Sequence, residues 1–158
     1  MKPVGKKWVV GSFAALAVTI ASALASHYEG VRYTAYRDVG GVWTICYGHT
    51  RGVKEGDTAT PEQCMAWLAQ DMPTAYAAVD RCISAEVTVS QAAAFTDAAY
   101  NEGPKVVCGS TLQRLANSGH VVEACHQLPR WAWAGGEKQK GLERRRGDET
   151  DLCTEGLQ

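Results

Sequence analysis

The sequence predicts an α+β fold that is mainly α, and three observations carry this. Between residues 31 and 47, two runs of β-branched and aromatic residues flank Val39-Gly40-Gly41-Val42, the layout of a β-hairpin. Thr60-Pro61-Glu62-Gln63 and Thr88-Val89-Ser90-Gln91 are capping boxes, each opening a stretch with helical spacing. Beyond Pro104, the apolar positions fall into short helical groups punctuated by Ser110, Gly119 and Pro129.

Residues 1 to 7 carry Lys2, Lys6 and Lys7, and Trp8 to Ala25 follow without a charge. This is the layout of a signal peptide or a membrane anchor. As a helix the stretch would reach roughly 27 Å, just short of a hydrocarbon core. Its Ala, Gly, Ser and Thr content makes insertion marginal. Ala23-Leu24-Ala25 also satisfies the small-x-small cleavage rule, but cleavage there would leave Glu29 on a fraying terminus. A retained leader over 1–25 and one folded domain over 26–158 are therefore expected.

After the hairpin, Arg51 to Ala59 reads as a polar loop. Met65, Leu68, Met72, Tyr76 and Val79 then give a helix from 61 to about 80, interrupted by Pro73, which predicts a kink or two shorter helices. Ala92 to Asn101 forms an Ala-rich helix packed through Phe95 and Tyr100 and ended by Gly103-Pro104. Short helices are expected over Thr111 to Ser118 and from Val121 to about Leu128, and a strongly charged one over Leu142 to Cys153.

The 158 residues, 46% of them hydrophobic, suffice for one compact domain. With the three leader lysines set aside, 13 basic side chains face 17 acidic ones, a balance of about −4 that argues against charge-driven nucleic-acid binding. Six cysteines, Cys46, Cys64, Cys82, Cys108, Cys125 and Cys153, are even in number and lack CxxC spacing; beside an export signal they read as three disulfides, with the pairing open. His27, His120 and His126 form no metal-ligand pattern with them, so neither a metal nor another cofactor is expected.

The chemistry concentrates between 29 and 50. Glu29 precedes the first strand, Asp38 lies at the hairpin turn, and Thr44 stands on the returning strand. Two carboxyl groups across a cleft can cleave a glycosidic bond, one protonating the leaving oxygen while the other serves the opposite face. The Thr44 hydroxyl could hold a water beside Asp38.

The spacing Glu29-x8-Asp38-x5-Thr44, followed by Gly48-His49, resembles the catalytic hairpin of phage-type lysozymes, glycoside hydrolase family 24, and the glycines, Leu142 and arginines between Gly135 and Arg145 resemble that family's C-terminal segment. The resemblance implies a small hairpin lobe and a helical lobe enclosing a cleft. It implies hydrolysis of the β-1,4 bond between N-acetylmuramic acid and N-acetylglucosamine in peptidoglycan, without a cofactor. Glu29 would be the general acid, kept protonated by burial, Asp38 the base or electrostatic partner, and Thr44 the water-positioning hydroxyl of an inverting reaction.

The same resemblance suggests disulfides 46 with 64, 82 with 108 and 125 with 153, an ion pair between His49 and Asp71, and substrate contacts from Asn101 and Arg145. One of Trp131 and Trp133 should belong to the core, since an i, i+2 pair cannot share a helix face. The leader resembles those of signal-anchor-release endolysins, which implies a monomer tethered inactive to the inner membrane through residues 8–25 and then released to the periplasm, where its partner is the glycan strand. A peptidoglycan-binding module without catalysis and a lytic transglycosylase are the competing readings.

Overall fold

The computed structural model describes residues 10 to 156. The lysines before the leader, Trp8 and Val9 lie outside the described residues. The first helix, α1, spans Val10–Glu29 and runs unbroken across positions 25 and 26. Among the described residues, its stretch Gly11–Glu29 is the one helix long and apolar enough to cross a membrane. It nevertheless packs into the protein. Ala17, Ala21 and Ala25, four residues apart on one face, are fully buried, while Leu16 is 54% exposed. Ala17 joins the main core, and Ala21 and Ala25 meet Leu68 and Met72 of the next helix.

Strands β1 (Arg32–Arg37) and β2 (Trp43–Cys46) form the expected antiparallel hairpin, with Tyr36 opposite Thr44 and an irregularity between Arg32 and Tyr36. The loop after it is more ordered than its polar composition suggests. It folds back on β1, where Ala35 N–H donates to the Asp57 carbonyl at 2.8 Å and Ala59 N–H to that of Tyr33 at 2.9 Å. Next comes α2, Pro61–Cys82, opened by the complete Thr60/Gln63 capping box. It is a single helix that includes Pro73, so the two-helix alternative does not hold. Buried Leu68, Met72 and Val79 hold its inner face to both neighbours and offset the hydrogen bond that a mid-helix proline forgoes.

The central helix, α3, spans Val89–Glu102, and every residue from Gln91 to Ala99 is buried. Its alanines let α1, α2 and the last helix approach closely, since interaxial distance follows the side chains at the contact. Short 3₁₀ turns at Pro104–Val106 and Leu128–Trp131 flank α4 (Thr111–Asn117) and α5 (Val121–Cys125); the helix expected to reach Leu128 stops at Cys125 and tightens. A two-residue hairpin, β3 (Trp133–Ala134) with β4 (Glu137–Lys138), was not expected. Trp131 packs against the core and Trp133 is exposed. The chain closes with α6, Lys140–Cys153.

Disulfides join Cys46 to Cys64, Cys82 to Cys108 and Cys125 to Cys153, closing loops of 18, 26 and 28 residues. Loops of this size restrict the unfolded chain by about 3 kcal/mol each in the chain-entropy model. The first ties the hairpin to α2, and the last ties α6 to α5.

The close seat of α1 yields a stability test. Ala21→Leu should destabilise the soluble protein by about 1–3 kcal/mol through overpacking, whereas Leu16→Ala, at an exposed position, should stay within about 0.5 kcal/mol. Urea unfolding midpoints measure both.

Candidate active site

Glu29 is the last residue of α1, and Gly30, with φ +63°, takes the left-handed conformation that stops the helix and sends the chain into β1. A carboxylate at a helix C-terminus faces the negative end of the peptide dipoles and needs a cation. Arg145 of α6 supplies it, donating from Nη1 to Glu29 Oε1 at 2.6 Å. Asn101 Nδ2, near the end of α3, donates to the same oxygen at 3.3 Å. The Glu29 side chain is 24% exposed. Burial of Glu29 is partial, and an ion pair and an amide hold it.

Behind Glu29 lies a buried polar network. Asp97 of α3 is fully buried and accepts from Arg145 twice, Oδ2 from Nε at 2.9 Å and Oδ1 from Nη2 at 2.8 Å. Arg146 Nη2 donates to Asn101 Oδ1 at 2.9 Å and to Glu149 Oε1 at 2.8 Å. Burial alone would lower the pKa of Arg145, but its hydrogen bonds to Asp97 and the charges of Asp97 and Glu29 outweigh that, and the net shift is upward. Burial, then Asp148, pushes the Tyr28 phenol up to about 12; its hydroxyl donates to Asp148 Oδ2. Burial and the Glu29 charge also raise Tyr100, whose hydroxyl donates to the Tyr47 carbonyl at 2.7 Å.

Glu29, Asn101 and Arg145 share a cavity of about 610 Å³ with Tyr28, Leu142 and Arg144. Asp38 and Thr44 stand on the hairpin, outside that lining. Asp38 Oδ1 accepts from the N–H groups of Gly40 and Val42, both at 2.9 Å, which locks the turn. Thr44 is a buried residue, 4% exposed, and its hydroxyl donates to the Val42 carbonyl at 3.0 Å. Arg145 is only 3% exposed, with Nε, Nη1 and Nη2 all on protein carboxylates. It sits beneath Glu29 against the same cavity, with its donors turned to protein carboxylates.

His49 is buried, with Nδ1 2.7 Å from Asp71 Oδ2 and Nε2 3.1 Å from the Arg51 carbonyl. Its ring stacks on Trp67 at 4.6 Å, and Arg51 caps the other Asp71 oxygen at 2.9 Å. Both ring nitrogens face oxygens of the protein, so the cluster braces the junction of hairpin and α2. Among the described residues, no three His, Cys, Asp or Glu side chains gather to hold a metal ion.

Sequence reasoning missed Asp97 and Glu149. A signal existed for the first: a single acid inside an Ala-rich helix must find a buried partner.

Known proteins match this architecture. The phage lysozyme family model covers residues 26–149. A "SAR-endolysin" of Bacteriophage PS119 is 38% identical over all of this chain and 99% of its own length. The solved muramidase domain of SpmX from Asticaccaulis excentricus superposes with a TM-score of 0.78 at 30% identity, covering 84% of this chain and 93% of that one. The active form of P1 phage endolysin Lyz superposes with a TM-score of 0.79 at 25% identity, covering 92% and 95%.

The buried network predicts a pH dependence of stability. Burial, then a hydrogen bond with Asp97, holds the Glu149 carboxyl well above its ordinary 4.5, and the Arg146 charge offsets only part of this. The folded state keeps a proton that the unfolded chain releases, so this group's contribution is full below about pH 4.5 and is lost as pH rises through the raised folded value. Glu149→Gln removes that loss. Urea midpoints compared across this range should increasingly favour the variant over the parent as pH rises.

Proposed function

Because the chain belongs to the phage lysozyme family, we propose that it is an endolysin muramidase that hydrolyses the β-1,4 bond between N-acetylmuramic acid and N-acetylglucosamine, with Glu29 as general acid. The observation that carries this is the placement of Glu29 at the pocket, with one oxygen fixed by Arg145 and Asn101. Oε2 is then the oxygen to carry a proton to the leaving glycosidic oxygen.

Asp38 is the base or electrostatic partner. Its Oδ1 is occupied by two backbone N–H groups, which leaves Oδ2 to take a proton from the attacking water. Thr44 directs its hydrogen to Val42, so it meets that water as an acceptor. Attack by water between the two would invert the anomeric centre. Asn101 both steadies Glu29 and lines the pocket; contact with stem-peptide carboxylates passes from Arg145 to the exposed Arg144 beside it. The His49–Asp71 cluster holds the hairpin in place.

The leader stays on the protein in this reading. While α1 lies in the inner membrane, Glu29 is at the lipid surface and away from Arg145. Release into the periplasm lets the Ala17, Ala21 and Ala25 face dock and completes the pocket.

Turbidity clearing of outer-membrane-permeabilised cells by the full-length protein and by Glu29→Gln, with mass spectrometry of the fragments, tests this. The variant should lose about 10²–10⁴-fold in rate, and the parent should release reducing muropeptides. Equal clearing by both would overturn the assignment of Glu29, and anhydro products would indicate a transglycosylase.

A further inference from the structure

Resting on the reading of Glu29 as the acid, we infer that Asp97 is a positioning residue for the reaction: it grips one edge of Arg145 so that Nη1 alone is presented to Glu29. A guanidinium offers its donors in a planar fork, and a carboxylate engaging Nε and Nη2 together fixes that plane. The bidentate contact at 2.9 and 2.8 Å does this, and the remaining edge points to Glu29 at 2.6 Å.

Of Asp97, Arg145 and Glu29, Asp97 is the most deeply buried. It lies fully buried within the continuous buried run of α3, and Glu149 of α6 backs it. Glu29, by contrast, ends a helix and is followed by a left-handed glycine. Without Asp97, Arg145 could rotate toward Glu149, whose Oε1 lies 3.8 Å from its Nε. Loss of about an ångström in registration can lower a rate on the order of 10²-fold without weakening binding.

The groups facing this assembly come from three helices. They are His27 and Tyr28 of α1, Tyr100, Asn101 and Glu102 of α3, and Arg144, Arg146, Asp148 and Glu149 of α6. Arg146 lies against Glu149 at 2.8 Å and Glu102 at 3.9 Å, whereas Arg145 places Nη1 on Glu29 and Nη2 on Asp97, so Asp97 is the carboxylate that shares Arg145 with Glu29.

The test is steady-state kinetics on solubilised peptidoglycan across pH for the parent, Asp97→Asn, Asp97→Glu and Glu29→Gln, with thermal unfolding of each. Asp97→Asn keeps the size but removes the charge and one acceptor. Its kcat should fall about tenfold or more with KM within about twofold, and the alkaline limb of its activity should move to lower pH, because Arg145 then acts on Glu29 alone. Asp97→Glu keeps the charge but moves it by a methylene; it should restore the pH limb and not the full kcat. A folded Asp97→Asn with the parent's kcat and pH profile would overturn the inference, as would a drop in thermal stability alone. If Asp97→Asn does not fold, Asp97→Glu decides, and a kcat equal to the parent's refutes the positioning role. An active Glu29→Gln would remove the acid assignment itself; an inactive one beside unaffected Asp97 variants would remove only the inference.

Discussion

A guanidinium with 3% of its surface exposed must find its counter-charges inside the protein, and Arg145 finds them on two other helices. Desolvating an arginine costs several kcal/mol unless its donors are met. Here the hydrogen bonds from Arg145 to Asp97 and Glu29 bind α6 to α3 and to the end of α1. The contact that satisfies the buried charge is thus the contact that brings the proposed acid to the pocket. The same three side chains join the three helices and set the geometry of the site.

The apolar side of α1 fits this dependence. A helix rich in alanine offers little area to drive docking, since burial is worth about 25 cal/mol per Å². Ala17, Ala21 and Ala25 provide close approach to α2 and α3, and Arg145 provides a directional contact at one end. The same composition makes α1 a marginal membrane span, consistent with a segment suited to both lipid and protein surroundings. The Cys46–Cys64 bond and the His49–Asp71–Trp67 cluster then hold the hairpin against α2, so the turn bearing Asp38 has a fixed base.

Much of this was legible locally. Both capping boxes form as written, because Thr60 and Thr88 meet Gln63 and Gln91 within one turn. The first hairpin was legible because its apolar runs are long enough to show; the β3–β4 hairpin was not, although Gly135-Gly136 is a two-residue turn signal. Pro73 left one kinked helix or two short ones open, and tertiary burial of Leu68, Met72 and Val79 keeps a single helix across it. The surroundings of Glu29 were the least legible feature. They depend on residues 97, 101 and 145 meeting in space, and a run of arginines in sequence looks the same whether it faces solvent or a buried aspartate. Arg144 and Arg145 are neighbours in the chain, yet one is exposed and the other sealed.

The Arg145–Glu29 contact couples α1 to the rest of the fold. A double-mutant cycle with Glu29→Gln, Arg145→Gln and the pair, read by urea unfolding of the full-length soluble protein, measures that coupling free of each residue's other contacts. A favourable interaction of about 1.5–3 kcal/mol, the range for charge-assisted hydrogen bonds, is expected. Additive effects within about 0.3–0.5 kcal/mol would contradict it.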